Sequence, residues 1–375
     1  MAGPVLSSTG GHDPGTRSPV PPGRTTRAVR SVVAAVLAAL AGAVVVVLTQ
    51  GAQPQQTSSQ VPVTSSRQPA PTPFPAPDPT ETHTVWHWNV AGSTLHGGAV
   101  DDGLVEVLVA SVLTRGADLV SLNEVCRQQF DAVVAGLAGA GWAQDPARSA
   151  VFHVTVEAAS DVCGGQPFGL ALLSAAPVGD VRTTVLPDDG TGASRVLLCA
   201  LVGPRSLRFC TTHVTTSSLL DPAIGLPHNV LQLRAVLTEL DTYARQGETA
   251  LLAGDLNAQP HYARLDDWYA PSVATPANGA NSGRYRELDD TDRGCPGYGE
   301  PTALGPPGGP PPCGAGAKVD HLFVREDRIA GPYRADALEV PHRCPRVPGR
   351  PGVSAAGACS DHHALVGTVT VRVRP

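Results

Sequence analysis

Leu251-Leu252-Ala253-Gly254-Asp255-Leu256-Asn257 decides how this chain reads: an apolar run that ends on a glycine, an acid and an amide. Apolar runs of roughly four to eight residues bounded by turn formers mark buried strands. Outward from this stretch the same arrangement recurs. Trp86-His87-Trp88-Asn89 closes one such run, Leu119-Val120-Ser121-Leu122-Asn123-Glu124 a second, and Cys210-Thr211-Thr212-His213 a third. Toward the C-terminus come Lys318-Val319-Asp320-His321-Leu322-Phe323 and Ser360-Asp361-His362-His363. Singly each is weak, because an acid after a strand is more often a turn former or helix cap than a ligand. Their repetition within one domain predicts strand tips that meet at one polar site.

Between these runs the chain alternates strand and helix patterns. Strands are predicted at Thr84–Val90, Asp118–Asn123, Ala150–Val156, Gly169–Ser174, Arg195–Val202, Leu207–Val214, Ala250–Ala253, Val319–Val324 and Ala364–Val371. Helices are predicted at Leu104–Thr114, Gln128–Ala138 and Val230–Arg245, the last carrying Leu231, Leu233, Val236, Leu237 and Leu240 near a 3.6-residue period. Residues 271–318, rich in Gly, Pro and Asp, read mostly as a long loop. Interspersed strands and helices indicate one α/β domain over 83–375.

The N-terminal segments differ in kind. Residues 1–30 carry Arg17, Arg24, Arg27 and Arg30, and an uncharged apolar run, Ser31 to Thr49, follows. At about 1.5 Å per residue this run approaches a bilayer's hydrocarbon thickness. Residues 31–50 are therefore a transmembrane anchor with its basic end cytoplasmic, or a secretory signal. Either way the remainder is exported, to the outer face of the cell membrane or as a secreted protein. Residues 51–82, with Pro at 69, 71, 73, 75, 77 and 79, form a Pro/Ser/Gln-rich linker that cannot be helical. Residues 1–82 hold three of the 33 acids and five of the 27 basic residues, leaving the exported part with 30 against 22, a formal −8. That balance does not suit nonspecific gripping of long nucleic acid.

All eight cysteines fall between Cys126 and Cys359, without paired C-x-x-C spacing. An even count in an exported domain predicts disulfides. A hairpin about Gly203-Pro204-Arg205-Ser206 pairs residues whose numbers sum to 409, which sets Cys199 opposite Cys210 at disulfide distance. It also leaves Arg195 and His213 at the open end on opposite faces, so a shared site needs a twist or bulge there. Sequence proximity pairs Cys126 with Cys163, Cys295 with Cys313 and Cys344 with Cys359.

In order and wording the polar-tipped runs resemble the endonuclease/exonuclease/phosphatase superfamily, the deoxyribonuclease-I-like fold. Its W-N, L-Q-E, T-H, G-D-x-N, D-x-x-h and S-D-H signatures have counterparts here from Trp86 to His363, and Gly169-Leu170-Ala171-Leu172-Leu173-Ser174 with Pro177 resembles a further segment. The resemblance implies a four-layer αββα sandwich with its site where the strand ends converge. It implies a catalytic set of His213, Asp255, Asn257, Asp320 and His362, with Asp320 fixing the tautomer of His362. Arg195 resembles a substrate-binding arginine, although a surface pairing role is equally open.

The chemistry of the residues leads to the same place. Phosphoester hydrolysis needs charge neutralised on the non-bridging oxygens, an activated water and help for the leaving oxygen. Asn89, Glu124 and Asp361 are hard oxygen donors suited to Mg²⁺, or to Mn²⁺ or Ca²⁺, and no thiolate suggests zinc. Asp255 and Asn257, two apart on an extended strand, are expected to share a face, one accepting a proton and the other donating to a phosphate oxygen. His362 is the candidate general base or proton donor, and His213 the second imidazole. No G-x-S-x-G motif is present; attack is expected from water, without a covalent intermediate.

Other residues are set aside. Alternation turns His321 and His363 away, and Trp86, Trp88 and Trp142 read as core. His87 could face the way Asn89 does. The doublets Asp101-Asp102, Asp188-Asp189 and Asp289-Asp290 read as solvated loop faces. Glu157 is a candidate support for His213, and Arg205, Arg208, Arg284, Arg286 and Arg293 for a basic rim. The resulting expectation is a monomeric metal-dependent phosphodiesterase without an obligate protein partner, acting on nucleic acid. Alternatives are a sphingomyelinase-like or small-molecule phosphoesterase and a non-catalytic binding domain.

Overall fold

The computed structural model describes residues 78–374, apart from 159–161, 205–206, 304–312, 314–315, 339–343 and 345–358. The anchor or signal at 31–50, the basic segment before it and nearly all of the linker lie outside the described residues. Among those described, no helix is long and apolar enough to cross a membrane.

In chain order the strands are β1 (Thr80–Asn89), β2 (Leu119–Cys126), β3 (Ala150–Val156), β4 (Phe168–Ser174), β5 (Val178–Val185) and β6 (Val196–Val202). They continue with β7 (Leu207–Thr212), β8 (Thr249–Asp255), β9 (Tyr285–Glu287), β10 (Asp320–Arg325), β11 (Arg334–Leu338) and β12 (Ala364–Arg372). Helices α1 (Leu104–Arg115), α2 (Arg127–Gly139) and α3 (Asn229–Gln246) fall within one or two residues of expectation. One six-stranded sheet runs β11-β12-β1-β2-β4-β3 and the other β5-β6-β7-β8-β10-β9. β1 with β2, and β7 with β8, are parallel pairs in otherwise antiparallel sheets.

Alternation along the strands sorts the layers. Val85, Leu119, Leu172, Leu198, Phe209, Leu251 and Leu322 pack between the sheets. Trp86, Trp88, Val120 and Leu122 point the other way, onto Leu108, Val112, Phe130 and Val133 of α1 and α2. On the second sheet Leu252 and Phe323 face Leu233, Val236 and Leu240 of α3. Two central sheets flanked by helices result.

The β6–β7 hairpin keeps the register expected for it, Leu197 opposite Thr212 and Cys199 opposite Cys210. Disulfides join Cys126–Cys163, Cys199–Cys210, Cys295–Cys313 and Cys344–Cys359, the expected pairs. Three strands escaped the sequence reading. β5 has exposed or half-buried positions almost throughout, β9 is three residues inside the expected 271–318 loop, and β11 is a five-residue edge strand. Edge strands lack the apolar run that burial on both faces demands, so periodicity does not reveal them. β1 also starts at Thr80, inside the stretch read as linker.

Candidate active site

At one end of the sandwich the layer between the sheets changes from apolar to polar. His87 and Asn89 continue the inward face that starts at Val85, Ser121 and Asn123 the face of Leu119, and Thr211 that of Phe209. Asp255 and Asp320 face each other as Cα partners across β8 and β10. His213 bridges Asp255 just past the end of β7. Gly254 is required where these strands crowd, since a Cβ there would lie 2.4 Å from the Thr212 carbonyl oxygen.

Asp255 is the hub. Its Oδ2 accepts a hydrogen bond from Asn89 Nδ2 at 3.0 Å and lies 3.5 Å from His213 Nε2 and 3.8 Å from His362 Nε2. Asn89 Nδ2 also donates to Glu124 Oε1 at 3.1 Å, and His213 Nε2 is 3.8 Å from that oxygen. Glu124 reaches the cluster through its backbone. Strict alternation after Asn123 would send it outward, but β2 bulges between Leu122 and Val125, and Glu124 takes φ +54°. Such a conformation costs a non-glycine residue about 1–3 kcal/mol and persists only where the surroundings impose it.

His362 Nδ1 lies 2.8 Å from Asp320 Oδ2, and His87 Nε2 lies 3.0 Å from Asp320 Oδ1. Asp320 is thus held between two imidazoles while fully buried. Burial alone would lower the His362 imidazole, but the Asp320 charge and hydrogen bond, with Asp255 behind them, push it up to about 10. Burial would raise Asp320, but His362 and His87 hold it well below the carboxylate range. Burial brings His213 down to about 4 against the pull of Asp255. Burial also raises Glu124, and raises Asp255 together with the charge of Asp320. One imidazole is cationic and the other neutral, beside carboxylates in excess.

Among the expected site residues, then, Asn89, Glu124, His213, Asp255, Asp320 and His362 meet. Asp361 is exposed beside them, and its negative charge acts on Glu124 and His362. Asn257 arrives differently. β8 ends at Asp255, Asn257 adopts φ +44°, and its Nδ2 donates to the Val214 carbonyl at 3.0 Å. The expected shared face with Asp255 does not follow from strand alternation, because the strand has already turned. Arg195 lies just outside β6, where pairing no longer dictates its side. Its Nε bonds Asp189 Oδ2 at 2.8 Å, while its charge acts on His213 and Glu124.

Several discounted residues proved structural. His87 is buried against Asp320 and Ser121, and its two-residue spacing from Asn89 was the available signal. Asn123, not singled out before, donates to Thr211 Oγ1 at 3.0 Å and accepts from the Asp255 amide at 2.9 Å, tying the sheets together under the site. The acid doublets are solvated only in part: Asp101 and Asp188 are exposed, while Asp102, Asp189, Asp289 and Asp290 are buried. Asp102 pairs with His96, Asp189 with Arg195 and Asp290 with Arg286, partners only four to six residues away, whereas Asp289 pairs with the buried Lys318, 29 residues on. Glu157 is exposed past β3, and the acids at His213 are Asp255 and Glu124. Arg208 is buried between Asp180 and Glu248, and Arg286 pairs with Asp290 and Glu326, so neither forms a basic rim. Arg205 lies outside the described residues.

The donor set fits a hard divalent cation. Asp255, Asp320 and His362 offer ligand atoms all within 4.8 Å of one another. Both Asp320 oxygens are, however, already engaged by imidazoles, whereas Glu124 is a desolvated carboxylate whose hydrogen-bond donor is an amide. Oxygen ligands from Glu124 and Asp361 suit Mg²⁺ or Mn²⁺ better than a thiolate-seeking metal. Asn89 faces Glu124 and Asp255 with its nitrogen.

Comparison with known proteins gives a consistent picture. Solved structures share the fold. An endonuclease/exonuclease/phosphatase from Beutenbergia cavernae DSM 12333 superposes with TM-score 0.51 and 20% identity, over 78% of this chain and 72% of that one. The human Nocturnin catalytic domain with bound sulfate anion superposes with TM-score 0.55 and 15% identity, over 80% and 100%. No curated protein sequence matches the chain. The model of the Endonuclease/Exonuclease/phosphatase family matches residues 86–362, which span every polar strand tip described above. The chain belongs to that family, and it is a metal-dependent phosphoric-ester hydrolase.

Proposed function

We propose that this enzyme is an exported phosphodiesterase that hydrolyses nucleic acid by direct attack of water. The observation that carries the reading is Asp255 Oδ2 standing within 3.8 Å of two imidazoles while accepting a hydrogen bond from Asn89. A proton acceptor and two proton-bearing rings thereby surround one small space. Asp255 takes the proton of the attacking water. His362, locked through Nδ1 by Asp320, directs Nε2 at a phosphoryl oxygen and balances the charge that develops there. His213 supports the leaving oxygen, and Asn257 with Arg195 orients the phosphate. Glu124 and Asp361 would hold the cation, and Asn89 would join them once its amide is turned oxygen-inward. When bound, that cation neutralises the non-bridging oxygens.

Four disulfides support an exported domain, since such bonds persist in oxidising compartments. The apolar run at 31–50 supplies an anchor or signal, and the domain acts as a monomer. A phospholipid substrate is the second reading. It is favoured by Leu220, Ile224 and Leu226, three exposed aliphatics on the loop that follows His213. Hydrolysis of plasmid DNA, RNA, bis(p-nitrophenyl) phosphate and sphingomyelin, with and without EDTA, separates the readings. Metal-dependent cleavage of DNA or RNA is expected. Cleavage of sphingomyelin alone would replace this proposal with the lipid reading.

A further inference from the structure

Beside the catalytic cluster lies a cavity of about 490 Å³, lined by Leu226, Val230 and Arg234 at the start of α3 and by His261, Tyr262 and Arg264 after β8. Its size falls within the roughly 300–1,000 Å³ of small-ligand sites. No carboxylate lines it. Arg264 donates to Ser217 Oγ at 2.9 Å, and its guanidinium carbon lies 4.6 Å from the Tyr262 ring centre. Its Nε is buried without a hydrogen-bond partner, and among the described residues no carboxylate pairs with it. The buried Arg208 and half-buried Arg286 are each closed by two acids, so Arg264 stands apart. A desolvated cation without a counter-charge is unfavourable, and an anionic ligand relieves it.

The cavity is wired to the catalytic residues. Ser217 Oγ, which accepts from Arg264, donates to the backbone carbonyl of Asn257, and Asn229 Nδ2 donates to the same carbonyl at 3.0 Å. Flat rings complete it. His261 packs edge-on to Tyr262 at 4.7 Å and stacks at 5.8 Å on Tyr298. Guanidinium together with stacked rings is the pairing that single-stranded nucleic acid uses, phosphate on the cation and base on the rings. Acyl chains make no comparable use of the rings.

We propose that this cavity is a flanking-nucleotide subsite, in which Arg264 and Arg234 hold the phosphate next to the scissile one and His261 with Tyr262 receives its base. The assignment deepens the nuclease reading and rests on it. Steady-state rates on a tetranucleotide and on bis(p-nitrophenyl) phosphate, which has no flanking nucleotide, test it. Arg264→Ala should lower kcat/KM on the tetranucleotide roughly tenfold more than on the small diester, chiefly through KM. Arg264→Lys should recover part of the loss, and Tyr262→Leu should show a smaller selective loss. If Arg264→Ala does not fold, Tyr262→Leu and Arg234→Ala carry the same comparison. Equal losses on both substrates would make Arg264 a mere prop for Ser217 and Asn257, and no loss on either would leave it without a role; both overturn the subsite. A larger loss on sphingomyelin vesicles than on the tetranucleotide would reassign the cavity to a lipid headgroup. If the wild type cleaves no oligonucleotide, the nuclease reading falls and equilibrium binding decides the subsite separately. The cavity then remains a nucleotide site, though not one beside a scissile phosphate, if adenosine 5′-monophosphate binds more tightly than inorganic phosphate and Arg264→Ala removes the difference, and it is none otherwise.

Discussion

Lys318 and Asp320 stand two residues apart, yet they belong to buried charge clusters of opposite character. Lys318, the only lysine in the sequence, is fully buried. Its Nζ donates to Asp289 Oδ2 at 2.9 Å and lies 3.6 Å from Glu287 Oε2. Burial pushes Glu287 up to about 8, despite the opposing pull of Lys318, so at neutral pH Glu287 holds its proton, while burial raises Asp289 too against the charge and hydrogen bond of Lys318. That cluster is closed. Around Asp320 the acids outnumber the cations, for Glu124, Asp255 and Asp361 meet the charges of His362 and Arg195 beside a His213 that burial holds low, and Lys318 reaches Asp320 only through its field. That cluster is open, and a divalent cation balances it. Buried charge alone does not mark an active site; unbalanced buried charge at a cleft does.

The comparison can be broken at several points. The largest effect falls on the open cluster. His362→Ala and Glu124→Ala should each lower turnover of bis(p-nitrophenyl) phosphate by roughly 10³-fold while circular dichroism stays that of the wild type. EDTA should act as strongly, reversed by excess Mg²⁺. Wild-type rates from both variants would remove these residues from the chemistry.

On the closed cluster stability should respond instead. Lys318→Met leaves acids without their cation and should destabilise the fold by about 3–5 kcal/mol in urea titration. In EDTA, Glu124→Gln should leave stability equal or higher, because it removes a desolvated carboxylate. If both variants lost stability alike, the distinction between open and closed clusters would be empty. Asn123→Ala comes next, at about 1–3 kcal/mol, since it strands the Asp255 amide beneath the site and leaves Thr211 Oγ1 with Ser121 alone.

The smallest effect is a pH slope. Glu287 binds its proton more tightly folded, at about 8, than at its ordinary 4.5. The folded state therefore holds more protons between those values, and this group's stabilising contribution, full below 4.5, is lost as pH rises toward 8. The stability of wild type relative to Glu287→Gln should fall across that window, at no more than about 1.4 kcal/mol per pH unit. A flat or rising difference would show that Glu287 is ionised throughout.

Much of this molecule was legible without coordinates. Apolar runs declared the buried strands, the 3.6-residue period of Leu233, Val236 and Leu240 declared α3, and the hairpin register set Cys199 opposite Cys210. The polar tips Asn89, Glu124, His213, Asp255, Asp320 and His362 were visible because each interrupts an apolar run where polarity has no local reason. All of these are short-range properties, encoded within a few residues.

What tertiary structure alone decided is which charge finds which partner. Asp289 looked like a solvated loop acid until Lys318, 29 residues on, was folded against it, whereas Arg195 and Arg286 reach Asp189 and Asp290 from only six and four residues away. His87 became a buried support only when Asp320, 233 residues away, closed on it. Glu124 reaches the site through a bulge, and Asn257 through a left-handed turn, neither of which strand alternation foretells. Local pattern follows from steric and hydrophobic periodicity along the chain. Charge pairing acts through space, and for Asp289 with Lys318 and Asp320 with His87 it joins segments far apart in sequence, so those pairs exist only once the strands have packed.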